Sequence, residues 1–169
     1  MKPFFKEYIL YTKPYDPSRI IDELYEERDD WIRLMANENP YPPPKELVEA
    51  IAREAYRINY YPQGYTLLKK MLAEYSGVDE DNLIIGAGSM EIIDSVLRGF
   101  IDPGDKVAVF TPAYTYYIAR ITVNGGRSLP IPLEKPWFSY NDDLVLETIT
   151  SEKPKLAIIG YPSNPVGNM

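Results

Sequence analysis

The chain has 169 residues, 45% of them hydrophobic, which is enough for one domain with a core of its own. It contains no cysteine and no histidine, so disulfides, thiolate nucleophiles, histidine-dependent triads and the common zinc ligand sets are excluded. Eighteen Lys and Arg against 25 Asp and Glu give a net charge of −7, which argues against a nucleic-acid backbone as partner.

The N-terminal "MKPFFKEYIL" carries no secretory signal pattern, and no apolar run approaches the roughly 20 residues that span a bilayer. A soluble, cytoplasmic protein is expected. "YTKPYDPSRI" reads as an extended arm, followed by a short helix around "SRIIDELYEERDD" that Ser18 caps and that presents Ile21, Leu24 and Tyr25 on one face. In "NENPYPPP", four prolines within five residues fix an extended backbone, and a boundary is placed there: residues 1–40 as arm and short helix, residues 41–169 as the main domain.

Beyond the boundary, "PPKELVEAIAREAYRI" sets Leu47, Ile51, Ala55 and Ile58 at helical spacing, with Pro44 placed for the first turn. "TLLKKMLAEYSG" repeats the device with Leu68, Met71, Leu72 and Tyr75, and Gly77 ends it. Both are expected to bury their apolar faces. From Asn82 onward, apolar runs of about five residues alternate with helical segments: "NLIIGAGS", "MEIIDSVLRGF", "KVAVF", "TPAYTYYIARITVNGG", "SLPIPL", "DDLVLETIT", "KLAIIG". That order predicts an α/β fold with a mainly parallel sheet covered on both faces.

In an open parallel sheet, ligands gather beyond the carboxyl ends of the strands. Three segments occupy such places. In "GAGSMEII" a glycine turn leads into a helix near Ser89, whose first amides and dipole suit a phosphate; the plain alternative is a turn that only joins strand to helix. A dinucleotide fits poorly, because Glu91 stands at the third small position of G-x-G-x-x-G. "TPAYTYY" puts Tyr114, Tyr116 and Tyr117 where rings can lie against a flat heterocycle or, alternatively, enter the core. "PSNP" holds Asn164 between prolines, aiming a carboxamide at a ligand oxygen or forming an ordinary Asx-type turn.

Taken in order, "NENP", "YYP", "GAGSMEII", "DPGDKVAVFTPAYTYY" and "YPSNPVG" resemble the N-terminal half of the fold type I pyridoxal-phosphate-dependent aminotransferases, most closely the histidinol-phosphate aminotransferases. The resemblance implies pyridoxal 5'-phosphate as cofactor, with Gly88, Ser89 and Met90 at its phosphate, Tyr114 on its ring and Asn164 on its ring hydroxyl oxygen. It also implies that Tyr61 reaches the phosphate of the other subunit's cofactor and that Tyr15 and Asn37 lie towards the substrate, hence a homodimer with shared sites. Amino-group exchange between glutamate and a phosphorylated keto substrate such as imidazole-acetol phosphate is the implied reaction. A decarboxylase of phosphorylated amino acids shares the loop pattern, and a non-catalytic assembly module is the reading from outside enzymology. The chain departs from the family pattern at Met90, where an acid is usual, and at Ser163 and Val166, where Asn and Thr are usual. The Schiff-base lysine is expected beyond Met169, so the 169 residues alone are expected to be inactive; Lys106 and Lys155 fall at strand starts, the wrong end of the sheet, and Lys69 and Lys70 on the polar side of a helix.

Overall fold

A computed structural model describes residues 6–13, 32, 34 and 36–168. Two compact units divide the chain, one made of residues 1–16 and 86–169 and the other of residues 17–85. Among the described residues, no helix is long and apolar enough to cross a membrane.

The unit that carries the sheet is a three-layer α/β arrangement. Strands β1 (Lys106–Thr111), β2 (Arg127–Pro132) and β3 (Leu156–Ile158) lie in the order β2-β1-β3, and both pairings are parallel. β1 is central because its side chains are apolar on both faces, as the run "VAVF" requires. Side chains alternate along a strand. Val107 and Val109 pack with Leu97, Ile101 and Ile121, which come from or adjoin helices α3 (Ser89–Phe100) and α4 (Thr115–Val123). Ala108 and Phe110 face the opposite layer with Ile131 and Leu133, against which Leu144 and Val145 of α5 (Asp142–Glu152) pack. The Asn141 side chain accepts from the Leu144 amide at 2.8 Å and so caps α5. A 3-10 turn, Glu7–Tyr11, belongs to the same unit.

At the amino ends of the strands, charges tie the layers together. Lys106 Nζ donates to Glu152 Oε2 at 2.6 Å, and Lys155 Nζ donates to Asp105 Oδ2 at 2.7 Å. The ion pair holds the Asp105 carboxyl below its ordinary pKa and the Lys155 ammonium above its own. Both lysines thus serve strand starts.

The other unit contributes α1 (Lys45–Glu54) and α2 (Tyr65–Ser76). α1 starts after Pro44 as expected, and Gly77 closes α2 with φ 68°. Their apolar faces are not buried, which corrects the expectation: Ile51 is 63% exposed and Met71 59%, and Ala73 alone is buried on α2 among the residues of these two helices. The helical period creates an apolar face but does not supply the surface that covers it. The strand expected at "NLII" is also absent. Residues 80–82 form a 3-10 turn and Leu83 is extended at φ −121° and ψ 129°, yet residues 83–85 join no ladder among the described residues. Extended apolar backbone becomes a strand only when a neighbour offers hydrogen bonds. The short helix around Ser18 lies outside the described residues.

Among the described residues β3 pairs on one side only, with β1. An apolar groove of about 140 Å³ runs beside it, lined by Ile92, Ile93, Val96 and Leu97 of α3 and by the three residues of β3. The far edge of β3 thus has no ladder partner among the described residues.

Candidate functional site

Two glycines shape the turn before α3. A Cβ on Gly86 would stand 2.7 Å from Ile92 Cδ1 and 2.9 Å from Glu91 Oε2, so the backbone approaches its own helix too closely for any side chain. Gly88 has φ 78° and ψ 174°, a region open essentially to glycine, with nothing within 4 Å of where a Cβ would be. The chain thereby turns sharply and begins α3 at Ser89. No side chain caps this helix at Gly88. The amides of its first turn have no acceptor within the helix and form the positive end of its dipole. Ser89 is exposed and Met90 37% exposed, so the turn is open to a ligand. Glu91 reaches back and accepts from the Ala87 amide, which places one carboxylate on the rim of the same turn.

β1 delivers the second component. After Thr111 the chain passes Pro112 and Ala113 to Tyr114, the residue that precedes α4. The Tyr114 hydroxyl lies 3.7 Å from Met90 Sδ, and its ring stacks on Tyr116 at 5.7 Å and 26° and meets Tyr117 edge-on at 5.5 Å and 83°. Tyr116 is buried and donates its hydroxyl to the Met90 carbonyl at 3.0 Å. The two readings of the tyrosines thus divide between residues: Tyr116 is core, while Tyr114 is half-buried at the edge of the phosphate-type turn.

β3 delivers the third. In the loop that follows it, Ser163 is buried, its amide donates to the Asn168 carbonyl at 3.1 Å and its carbonyl accepts from the Gly167 amide at 2.6 Å. A Cβ on Gly160 would lie 3.7 Å from the Tyr117 hydroxyl, which brings this loop against the aromatic cluster. Asn164 projects exposed from the loop, and its side chain makes no hydrogen bond among the described residues. Because β1 and β3 are adjacent and parallel, Tyr114 and Asn164 issue from the same end of the sheet.

The structure therefore joins Met90 to Tyr114 by direct contact, with Gly88 and Ser89 in the same turn as Met90, and sets Asn164 at the neighbouring strand exit. The remaining candidates belong to the other unit or lie outside the described residues. Tyr61 belongs to the other unit, 90% exposed on a broad hollow of about 770 Å³ shared with Arg57, Tyr60 and Gln63. Asn37, also of that unit, sits in an exposed turn with φ 52°. Tyr15 lies outside the described residues.

One cluster escaped the sequence reading. Asp94 of α3 accepts from Arg120 Nε at 2.8 Å and Asn124 Nδ2 at 2.9 Å, and pairs with Arg98. Burial pushes the Asp94 carboxyl up, but the hydrogen bonds from Asn124 and Arg120, the Arg120 charge and the Arg98 bond outweigh it and hold its pKa below the ordinary carboxylate value. The signal was present as two i,i+4 pairs, Asp94 with Arg98 and Arg120 with Asn124. Nothing in the sequence says that the two helices face each other.

Free first-turn amides, a half-buried ring and an unbonded carboxamide at one end of a parallel sheet make a seat for a flat ligand that bears an anionic group. Comparison with known proteins assigns the class: residues 29–169 match the family described as aminotransferase class I and II, and the chain belongs to it. It is 32% identical over 170 residues to the chloroplastic histidinol-phosphate aminotransferase of Nicotiana tabacum, covering 98% of this chain and 41% of that protein. It is also 35% identical over 164 residues to the histidinol-phosphate aminotransferase of Methanocaldococcus jannaschii, with 93% and 44% covered. The chain thus spans less than half the length of these relatives. In fold it is similar to histidinol-phosphate aminotransferase from Sinorhizobium meliloti, a structure in complex with pyridoxal-5'-phosphate, at a TM-score of 0.82 and 21% identity, covering 99% of this chain and 45% of that one. Aspartate aminotransferase from Thermotoga maritima gives a TM-score of 0.76 at 24% identity, with 95% and 46% covered. These likenesses support the fold type I assignment.

Proposed function

We propose that the complete protein is a pyridoxal-phosphate-dependent transaminase that moves an amino group between glutamate and 2-oxoglutarate on one side and a phosphorylated keto or amino substrate on the other. The substrate pair favoured is imidazole-acetol phosphate and histidinol phosphate, as in histidine biosynthesis, because relatives of that name match over nearly the whole chain. The observation that carries the reading is the contact between Tyr114 and Met90, which ties a ring platform to an open helix start.

The residues present fit the cofactor. Gly88, Ser89 and Met90 would hold its phosphate through backbone amides, which is why a methionine in place of an acid at position 90 is tolerable. Tyr114 would cover one ring face and exclude water from it, and the Asn164 carboxamide would donate to the ring oxygen. The Glu91 carboxylate, already bonded to the Ala87 amide, would stay on the rim and limit the space for a second anion. When bound, the cofactor supplies the electron sink for amino-group chemistry. Tyr61 is assigned to the partner subunit's phosphate and Tyr15 and Asn37 to the substrate side, which requires a homodimer. Residues 1–40 act as the N-terminal arm and residues 41–169 as part of the large cofactor domain, in a cytoplasmic enzyme. Lys106 and Lys155 are engaged with acids at the strand starts, so neither is assigned as the lysine that bonds the cofactor.

The test is the complete protein with added pyridoxal phosphate. A visible cofactor band and glutamate-dependent amination of imidazole-acetol phosphate are expected; absence of the band ends the reading, and a band with no transfer to this substrate ends the substrate assignment.

A further inference from the structure

The turn before α3 and the tyrosines of α4 come from segments more than twenty residues apart, so something must hold their relative orientation. Side-chain links form a continuous path between them. Asp94 holds Arg120 through Nε and Nη2, and the side chains of both are largely withdrawn from solvent, at 13% and 26% exposure. The Arg120 guanidinium carbon lies 5.9 Å from the centre of the Tyr116 ring. Tyr116 donates to the Met90 carbonyl at 3.0 Å and stacks on Tyr114. A peptide unit is planar, so fixing the Met90 carbonyl also fixes the direction of the Glu91 N–H in the first turn of α3.

We propose that Arg120, oriented by Asp94, is a positioning residue: by pinning Tyr116 it fixes the Met90 carbonyl, and thereby the first-turn amides of α3 against the Tyr114 ring. The proposal rests on the reading of this turn as the seat of the cofactor phosphate. An ion pair that merely glued two helices would need neither the tyrosine hydroxyl nor its bond to the turn. Arg120 suits the task because its planar fork is held by one carboxylate while its face meets a ring.

The experiment uses the complete protein with Arg120→Met, Tyr116→Phe and the two combined. Two quantities are read: the pyridoxal phosphate dissociation constant, and the 15N order parameters of the Ser89, Met90 and Glu91 amides without cofactor. Each single change is expected to weaken affinity about threefold to tenfold, the scale of one hydrogen bond, and to lower these order parameters. The double variant should be no weaker than the weaker single, because both act through one carbonyl. Tyr116→Phe keeps the ring and its stacking, so it reports even where Arg120→Met does not fold. Affinity and order parameters unchanged in Tyr116→Phe would overturn the proposal, leaving Arg120 as a link between helices only. Should the unaltered protein bind no pyridoxal phosphate, the proposed function falls, and the order parameters alone decide on the tether.

Discussion

Tyr114 and Asn164 leave neighbouring strands but are held in opposite ways. Tyr114 touches Met90, Tyr116 and Tyr117, so its ring is fixed before any ligand arrives. Replacing it by leucine should weaken cofactor retention by about 1 kcal/mol, the scale of an aromatic stack, and this is measurable as the dissociation constant in the complete protein. Equal retention would return Tyr114 to the core. Asn164 is aimed only by the loop, whose anchor is the buried Ser163. Asn164→Ala should raise the pH midpoint of the bound cofactor's visible titration, because a donor that stabilises the deprotonated ring oxygen is lost. A midpoint that does not move removes Asn164 from this role.

Between elements, the contact of α3 with α4 is where ionisation matters. The partners of Asp94 hold its carboxyl below the ordinary value in the folded chain, against about 3.9 for an unfolded aspartate. A depressed carboxylate contributes stability that is full above the unfolded value and is lost as pH falls through the folded one. Thermal melts of the protein and of Asp94→Asn should therefore differ most well above the unfolded value of about 3.9 and converge as pH falls through the lower, folded one. Asp105 is depressed too, but it is present in both proteins and cancels from the comparison. A difference that persists undiminished in acid would show that Asp94 acts by shape and not by charge. The groups that face it are Arg98 on its own helix, Arg120 on α4 and Asn124, the residue that follows α4.

For the whole molecule, the balance of covered and uncovered surface is decisive. The sheet unit buries Leu97, Ile121, Ile131, Val107 and Val109 almost completely, whereas α1 and α2 leave Leu47, Ile51, Leu68 and Met71 about half exposed or more. Contiguous apolar faces of this kind bind other apolar surfaces. The 169-residue chain by itself should therefore bind a hydrophobic dye and sediment as more than one species. Ile51→Glu together with Met71→Glu should reduce both effects without altering the melting of the sheet unit. Dye binding unaffected by the pair would place the sticky surface elsewhere, with the open edge of β3 as the next candidate.

How much of this was legible in advance follows from where each kind of information resides. Residues 107–110 read as a strand buried on both faces, and Leu47 and Ile51 read as one side of a helix, because periodicity is a property of a single segment and local sterics enforce it; the expected continuation to Ile58 fails, since α1 ends at Glu54. The positions of Tyr114 and Asn164 at strand exits followed from that order alone, since parallel strands joined by helices put every exit at one end, whereas Ser89 opens a helix after a run that joins no ladder among the described residues. Other features depended on what one segment meets in another. Residues 83–85 have the composition of a strand but no ladder, and α1 has an apolar face with no cover. Asp94 finds Arg120, and the Tyr116 hydroxyl finds the Met90 carbonyl, across separations of 26 residues. Such partnerships are set by how helices cross and sheets pack, and the chain's local patterns carry no record of them.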